Sequence, residues 1–228
     1  MPQTTVISLF KYKGLLAKWG AFARMGFPPL KNKQIPGLQF WKPLGSGGEN
    51  GFSIKPDFSV YALLTVFEDE ATATGFCNGT TIQEYLKDSM AHTHIYMHNA
   101  HVHGLWSKTT PFKTEVPLDR NRPMCVITRA TIKPALAFKF WKYVPSVAAS
   151  IEDFDGLVYS KGVGEWPVFM QATFSVWKTA DAMMAYAYKN KKHAEMVKKT
   201  RELGWYKEEL FSRFHPFKQS GNLIPAFL

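Results

Sequence analysis

Histidine is concentrated in one short stretch of the chain, AHTHIYMHNAHVHG, which holds five of the seven histidines. If this stretch is helical, His94, His98 and His101 lie on one face, and two or three such imidazoles can bind a transition metal. The stretch contains no HExxH pattern and no Asp or Glu that would act as a base or as a further ligand. A histidine metal site is therefore one hypothesis. A polar surface, or a lining between two structural units, is the other.

Size and composition limit the class of protein. The chain has 228 residues, of which 46% are hydrophobic, and this is enough for one large domain or two small ones. No apolar run reaches the roughly 18–20 residues of a membrane span. The opening MPQTTVISLFKYK lacks the pattern of a secretory signal. The only cysteines are Cys77 and Cys125, and they form no CxxC motif. We expect a cytoplasmic protein without disulfides.

Charge and aromatic content suggest what the surface contacts. The net charge is +10, and basic residues are dense in the segment Lys189–Arg201. No zinc finger, RNP sequence or helix-turn-helix signature accompanies this charge, so no nucleic-acid partner is expected. The basic segment is either a solvated helix face or a surface drawn to anionic lipids. Aromatic residues make up 15% of the chain, which favours a pocket for a flat or hydrophobic ligand.

The sequence repeats itself with a period of about half its length, which is best sought before any local motif. Four segments of the first half have counterparts in the second, and they occur in the same order. The pairs are Val6–Lys13 with Val126–Lys133, Pro36–Gly47 with Asp155–Trp166, Thr65–Phe76 with Ser175–Tyr186, and Leu105–Phe112 with Leu210–Phe217.

Each half is predicted to follow the order β-α-β-β-α-β, the ferredoxin-like unit. The second helix of each unit should begin near Glu68 or Thr179, with Thr179 as an N-cap and Asp181 in the first turn. We place the units at residues 1–116 and 124–228. The fold class is α+β, with the two units fused into a dimeric α+β barrel-type fold. The alternative is two units that face outward and dimerise with another chain.

The two units differ at matched positions, where bulky apolar residues of the first become smaller or polar in the second. The pairs are Leu9 with Arg129, Phe10 with Ala130, Trp41 with Ser160, Tyr61 with Gln171, and Leu63 with Thr173. Interiors are densely packed, so the lost volume must be refilled or left as a cavity. One hypothesis is a polar-lined cavity in the second unit, with Arg129, Gln171 and Thr173 projecting from strands. The alternative is that larger neighbours fill the space.

The last helix is predicted to border this cavity. Its apolar stripe follows helical spacing through Met183, Tyr186, Ala187, Asn190, His193, Ala194 and Val197. His193 should therefore point inward while the neighbouring lysines face solvent. Such a histidine is either a satisfied core residue or a ligand, and a neutral imidazole on a rigid helix beside an apolar slot suits haem iron.

Several segments resemble the spheroidene monooxygenase family of carotenoid biosynthesis, and the likeness covers most of the chain. They are Gly14–Gly26, PGLQFWKPLGSG, GFSIKPDFSVYALLTVFED, HGLWSKTTPF and HAEMVKKTRELGWYKEELFSRF. The resemblance implies haem b with its iron, O2, an electron donor and a hydrophobic polyene, oxidised at a terminal carbon of an acyclic carotenoid. It also implies the dimeric α+β barrel fold.

This resemblance gives the candidate residues their expected roles. His193 would be the proximal ligand of the iron, and Arg129 would either donate a hydrogen bond to dioxygen or pair with a haem propionate. Gln171 and Thr173 would orient oxygen or water, and Lys161 is a further propionate partner. The remaining residues expected around the cofactor are Ser160, Ala130, Tyr186 and Val197.

Other classes of function remain open from the sequence. They are a haem enzyme of another type, such as one that dehydrates aldoximes or uses peroxide, a haem carrier without catalysis, and a non-haem histidine-metal protein or structural dimer. We expect a cytoplasmic location, peripheral contact with an anionic inner membrane, and homo-oligomerisation.

Overall fold

The structure is a computed structural model that describes residues 1–48, 53, 55–148, 151, 154–166, 168–189, 195, 198–200 and 202–228. Within these residues, eight strands and five α-helices follow one another along the chain. They are β1 (Thr4–Tyr12), α1 (Leu15–Gly26), β2 (Leu38–Gly47), β3 (Pro56–Phe67), α2 (Glu70–Asn78), α3 (Thr80–Leu86), β4 (Ser89–Gly104), β5 (Met124–Ile132), α4 (Ala137–Ala148), β6 (Leu157–Trp166), β7 (Met170–Trp177), α5 (Ala180–Lys189) and β8 (Tyr206–Gly221).

The strands close into one antiparallel barrel in the order β1-β3-β2-β6-β7-β5-β8-β4. Each half contributes four neighbouring strands, with its helices on the outer side of the sheet. The first half adds a short helix, α3, to the expected order. The predicted α+β fold of two fused ferredoxin-like repeats is therefore confirmed. The division at residues 116 and 124 stays a prediction.

The two halves meet at two seams of very different length. At one seam, β4 and β8 pair from Thr93 opposite Gly221 to Gly104 opposite Leu210. At the other, the pairing of β2 with β6 joins Gly45 to Gly164 and Ser46 to Val163. The β2–β6 seam is thus held by few backbone hydrogen bonds, and it leaves room beside it.

Side chains alternate between the barrel interior and the outer faces, because successive residues of a strand point to opposite sides. On β1, Ile7 and Leu9 point inward, while Val6 and Phe10 point outward. The interior is filled by buried apolar side chains from both halves. They include Leu64, Val66, Ile95, Met97, Cys125, Ile127, Phe174, Val176 and Phe214.

The two helices that follow the central hairpins begin close to the expected residues. Asp69 caps α2, where its Oδ1 accepts a hydrogen bond from the Thr72 amide at 2.9 Å. Thr179 caps α5, where its Oγ1 accepts from the Ala182 amide at 3.1 Å. Asp181 lies in the first turn of α5. The predicted Thr179 cap is confirmed.

Two sequence interpretations are wrong. The histidine-rich stretch forms strand β4, because its apolar residues Ile95 and Met97 recur with a period of two and fill the barrel. The fourth segment pair also fails as a repeat. Leu105–Phe112 follows β4, whereas Leu210–Phe217 lies within β8, so the two segments occupy different positions in their units.

Candidate active site

The outer faces of the two half-barrels can be compared position by position, because their strands share one register. Phe10 lies opposite Tyr61 in the first half, and Ala130 lies opposite Gln171 in the second. The same correspondence pairs Ser8 and Leu63 with Thr128 and Thr173, and Trp41 with Ser160. The matches drawn from the sequence therefore describe equivalent places in the fold.

In the first half, one continuous apolar cluster covers this face. Phe10 and Leu63 are fully buried, and Tyr61 is nearly so. Phe10 stacks on Tyr85 with ring centroids 5.4 Å apart and meets the edge of His94. The cluster runs from Tyr12 at one end of the sheet to residues of α1 and α2. These side chains therefore cover most of this face.

In the second half, the equivalent face carries two separate clusters. One forms around Trp177 and Tyr186, and the other forms around Phe140 and Trp205. The sheet between them bears small and polar side chains, and Thr128 is exposed to solvent although it lies in a central strand. We call this strip the outer trough, and it consists of Thr128, Ala130, Ser160, Gly162, Gln171 and Thr173.

Four residues proposed from the sequence meet in the outer trough, namely Ala130, Ser160, Gln171 and Thr173. Ala130 lies directly opposite Gln171, and Ser160 lies on the same face from the neighbouring strand β6. The Ser160 hydroxyl is buried and has no hydrogen-bond partner among the described residues. A buried, unpartnered hydroxyl is uncommon in a finished core, and water or a ligand can supply the missing partner.

The floor of the outer trough carries smaller side chains than the equivalent face of the first half. Its small side chains replace Phe10, Leu63 and Trp41 of the first half, and aromatic clusters flank it on both sides. Tyr186 belongs to one flank, where its ring lies 5.4 Å from Trp177 and 5.3 Å from Phe154. Haem pockets are apolar, and their polarity and access are set by such walls.

The proposed iron ligand is not among the described residues. His193 and Val197 both lie outside them, so their expected roles stay predictions. The stripe on which they were placed begins as expected, because Met183 and Tyr186 of α5 are buried against the sheet. His193 follows Tyr186 by seven residues, a spacing that keeps two side chains on one helix face.

Arg129 is not beside the other candidates, because it points into the barrel rather than into the outer trough. It is 3% exposed, it forms ion pairs with Glu208 and Glu165, and it lies 5.7 Å from the Trp106 ring. The proposal that Arg129 contacts dioxygen or a propionate therefore loses its geometric basis. Neighbours alternate between faces, and Leu9 already occupies the interior position in the first half.

Lys161 also points away from the outer trough. Its Nζ lies 3.1 Å from Oδ2 of Asp57, which joins the two halves near the β2–β6 seam. Burial raises the pKa of Asp57, but hydrogen bonds from Ser59 and the charge of Lys161 outweigh it and hold the pKa below its usual value. Asp57 is thus ionised at neutral pH, and Lys161 is engaged with this protein carboxylate.

A cavity of about 320 Å³ lies at the β2–β6 seam and reaches the outer trough at Gly164 and Gln171. Its largest lining side chains are aromatic, with Phe22 and Phe58 from the first half and Trp141 and Trp166 from the second, and the acidic residues Asp57 and Glu165 also line it. Glycine is required at position 164 because the Met170 carbonyl oxygen lies close by. An added Cβ at Gly164 would lie 2.5 Å from this oxygen.

Tyr61 adds a polar group to this seam cavity that the sequence did not single out as functional. Its hydroxyl is buried without a hydrogen-bond partner among the described residues. Burial, aided by the charge of Asp57, raises the pKa of Tyr61 to about 12. The phenol therefore keeps its proton at neutral pH and offers a hydrogen bond to a ligand. The place of Tyr61 in the cavity depends on the pairing of β3 with β1 and on the seam between β2 and β6. The sequence alone does not show either contact.

The histidines of β4 serve the fold. His94 is buried, and its Nδ1 lies 2.7 Å from the Ser8 hydroxyl. The His98 ring stacks on Phe217 at 4.2 Å, and His101 is exposed. Among the described residues, no group of three or more His, Cys, Asp or Glu side chains is placed to hold a metal. A metal site made by His94, His98 and His101 therefore has no support in the geometry.

His215 anchors the connection between the two halves. Its Nε2 accepts a hydrogen bond from the Asp119 amide at 2.9 Å, and its Nδ1 donates to the Pro123 carbonyl at 3.1 Å. These two roles place the proton of a neutral imidazole on Nδ1. The residue thus has a structural function in the segment that links β4 to β5.

Comparison with known proteins places this chain in a family. It is 30% identical over 219 residues to spheroidene monooxygenase of Rhodobacter capsulatus, covering 95% of this chain and 91% of that protein. It is 32% identical over 187 residues to spheroidene monooxygenase of Rubrivivax gelatinosus, covering 82% of this chain and 72% of the relative. No protein-family model matches the chain.

Solved structures agree on the fold. A crystal structure of aldoxime dehydratase aligns over 96% of this chain and 84% of its own, with a TM-score of 0.58 at 11% identity. A second, in complex with butyraldoxime, aligns over 95% of this chain and 79% of its own, with a TM-score of 0.57 at 8% identity.

In the described part of the chain, no helix is long and apolar enough to cross a bilayer. The identity over nearly the whole length shows that this chain is an oxidoreductase that belongs to the spheroidene monooxygenase family.

Proposed function

We propose that this protein is a haem-dependent monooxygenase that acts on an acyclic carotenoid. One atom of O2 enters the substrate as a hydroxyl group, and the other leaves as water, with two electrons from an external donor and two protons. The observation that supports the proposal is the outer trough, where small and polar side chains take the place of the large apolar ones of the first half. The relatives named as spheroidene monooxygenases supply the substrate class.

The cofactor would lie on the outer trough, over Ala130 and Thr173, with His193 as its iron ligand. Haem supplies the activation of dioxygen, chemistry for which the protein provides an axial ligand, polarity and access. The aromatic clusters on either side would exclude water and hold the flat ring. Thr128 and Thr173 offer hydroxyls, and Ser160 offers one that has no partner in the described protein.

The seam cavity would hold the reacting end of the polyene. Its aromatic lining suits a conjugated hydrocarbon, and it opens towards the outer trough at Gln171. The Gln171 side-chain amide donates a long hydrogen bond of 3.4 Å to the Trp166 carbonyl, so it can turn towards a ligand at little cost. Tyr61 offers its phenol proton from the opposite wall and would fix an oxygen of the substrate or product.

The carotenoid must be taken from a lipid phase, so we include peripheral contact with an anionic membrane in the proposal. The expected location is the cytoplasmic side of an inner membrane. The net charge of +10 supports this contact, because basic surfaces are attracted to anionic lipid headgroups.

The central experiment measures haem binding by wild-type protein and two histidine variants. Wild-type protein should bind one haem with a Soret band, and His193→Ala should lose stoichiometric haem. His101→Ala is the matched control, because His101 is exposed on β4, and it should bind haem as the wild type does. A normal Soret band in His193→Ala would refute the ligand assignment.

Turnover tests the reaction itself. Haem-loaded protein, given an acyclic carotenoid, O2 and a reductant, should yield a product that carries oxygen from labelled O2. Full haem binding without conversion of the carotenoid would contradict the substrate assignment and favour a different haem reaction. Conversion by the haem-free protein at the same rate would contradict the cofactor assignment.

A further inference from the structure

Helix α1 presents its largest apolar side chains to solvent. Leu15 and Leu16 are 88% and 89% exposed, and Trp19 is 71% exposed. The side of α1 that packs on the sheet is made of smaller or polar residues, with Ala21 buried and Arg24 paired with Asp88. A surface helix of a protein in water normally has the opposite arrangement.

The exposed residues of α1 continue into an apolar surface around the seam cavity. The Trp19 ring lies 5.9 Å from Phe22, and Phe22 meets the edge of Phe58 at 5.6 Å. Phe22, Phe58 and Trp166 are each exposed, and all three also line the seam cavity. We call this the α1 surface, and it consists of Leu15, Leu16, Trp19, Phe22, Phe58 and Trp166.

The unpaired charge around the α1 surface is mainly positive. The nearby carboxylates of Asp57, Asp88 and Glu165 are each paired with a cation. The first 48 residues contain seven Lys or Arg and no Asp or Glu. Lys11 and Lys13 immediately precede the helix and are exposed, and Lys55 is exposed just before β3. A short amphipathic helix with Trp, Phe and Leu on one face and lysines beside it is the pattern of a helix that lies in a lipid interface.

We infer that the α1 surface docks on an anionic lipid bilayer, with Leu15, Leu16 and Trp19 inserted at the headgroup boundary. The positive flank selects anionic lipid, and the apolar face adds burial that charge attraction alone lacks. Docking in this way would place the mouth of the seam cavity against the hydrocarbon. This use of the surface rests on the proposed function, since it lets a lipid-dissolved substrate enter without crossing water.

The inference predicts which part of the chain binds membranes. The basic segment Lys189–Arg201 is the rival surface from the sequence, and most of it lies outside the described residues. A second copy of this chain is the rival occupant of the α1 surface. Both rivals are distinguished by variants that remove apolar side chains from α1 without touching any residue of the seam cavity.

The test is co-sedimentation of the full chain with vesicles of phosphatidylcholine, alone or mixed in equal parts with phosphatidylglycerol. Wild-type protein should bind the anionic vesicles far better than the neutral ones. The double variant Leu16→Ser/Trp19→Ser should weaken this binding roughly tenfold or more, because each buried large apolar side chain contributes strongly. Tyr188→Ser is the matched control, since Tyr188 is 72% exposed on α5, and it should bind as the wild type does.

Three outcomes would overturn the inference. They are no binding of wild-type protein to anionic vesicles, unchanged binding by a folded double variant, and a wild-type dimer that the double variant converts to monomer without vesicle binding. Turnover of detergent-dispersed carotenoid separates this inference from the proposed function. If wild-type protein turns over that substrate but binds no vesicle, docking fails alone. If it binds vesicles but turns over nothing, the proposed function fails alone.

Discussion

The outer faces of the two half-barrels have the same strand register but different coverings. In the first half, the large side chains of Phe10 and Leu63 cover the face, whereas the equivalent positions in the second half carry the smaller Ala130 and Thr173. A duplicated fold thus has two equivalent faces. One face can lose its large apolar side chains while the other keeps them and stabilises the barrel. If the proposed haem site is right, the comparison shows one half stabilising the barrel and the other binding the ligand.

The barrel interior shows the reverse kind of difference. Leu9 of the first half has Arg129 as its counterpart, and Arg129 is buried between Glu165 and Glu208. Glu165 also accepts a hydrogen bond from Trp106 at 2.7 Å and pairs with Lys42 at 2.7 Å. The charge at this position therefore belongs to a polar network of Arg129, Glu165, Glu208, Lys42 and Trp106.

The largest expected loss of unfolding free energy comes from Leu63→Ala, which tests the difference in packing between the two faces. Leu63 is fully buried, so the variant leaves a cavity in the sealed face and should lose about 3 kcal/mol or more of unfolding free energy. Its counterpart variant, Thr173→Ala, removes a half-buried side chain from the open face and should lose about 0.5 kcal/mol or less. Urea denaturation of both measures the difference. Equal losses would show that the two faces are packed alike.

Much of this difference was predictable from sequence, because a repeat supplies its own reference. The pairing of Phe10 with Ala130 and of Leu63 with Thr173 follows from aligning two β-rich segments, and the barrel register keeps it. The capping of α5 by Thr179 was predictable because the signal is local.

The other features of the site were not predictable from the sequence. They depend on which face of the sheet each side chain points to and on contacts between strands that are distant in the chain. Arg129 was matched correctly to Leu9, but a match in sequence does not say which side of the sheet a residue faces. The histidines of β4 fit helical spacing as well as they fit a strand, and only the burial of Ile95 and Met97 decides. The seam cavity is made by both halves, so neither repeat shows it alone.

A second, smaller effect should appear in the pH dependence of stability and come from His94. Burial, with the charge of His92 as a lesser cause, lowers the pKa of His94 from 6.5 to about 4. Between these values the unfolded chain binds a proton that the folded chain does not, so stability falls as the pH falls. His94 should thus contribute a loss of about 2 kcal/mol between pH 7 and pH 5.

Denaturation of His94→Asn at both pH values measures this contribution. The variant should be less pH-dependent than the wild type by that amount. His101→Asn, which changes an exposed histidine of the same strand, should keep the wild-type dependence. An identical dependence in wild type and His94→Asn would show that the buried imidazole is not held neutral.

A third variant, Ala130→Phe, introduces into the second half the residue that the first half has at the equivalent position, Phe10. Ala130→Phe should fill the outer trough as Phe10 fills its own face, and haem affinity should fall about tenfold or more, which is about 1.4 kcal/mol. Unfolding free energy is measured in parallel, because Ala130 is buried and the added ring must displace its present neighbours. Haem titration followed by absorbance measures the loss. Ala71→Phe, at an exposed position of α2, is the control and should leave haem affinity unchanged.

The smallest expected effect on unfolding free energy comes from Glu208→Gln. This variant tests the ion pair between Glu208 and Arg129 in the barrel interior. Burial raises the pKa of Glu208, but hydrogen bonds from the Lys108 and Ser107 amides and the charge of Arg129 outweigh it, and the pKa lies below its ordinary value of 4.5. The carboxylate therefore stabilises the fold above pH 4.5, and this contribution is lost as the pH falls through the folded pKa. At pH 7 the variant should lose about 1 kcal/mol, because Arg129 keeps Glu165 as a partner. The gap between wild type and variant should narrow below pH 4.5, where the unfolded chain takes up the proton first. A gap that stays constant down to the acid transition would mean that the ion pair with Arg129 adds nothing to stability, and that Glu208 acts only as an uncharged acceptor for the two amides.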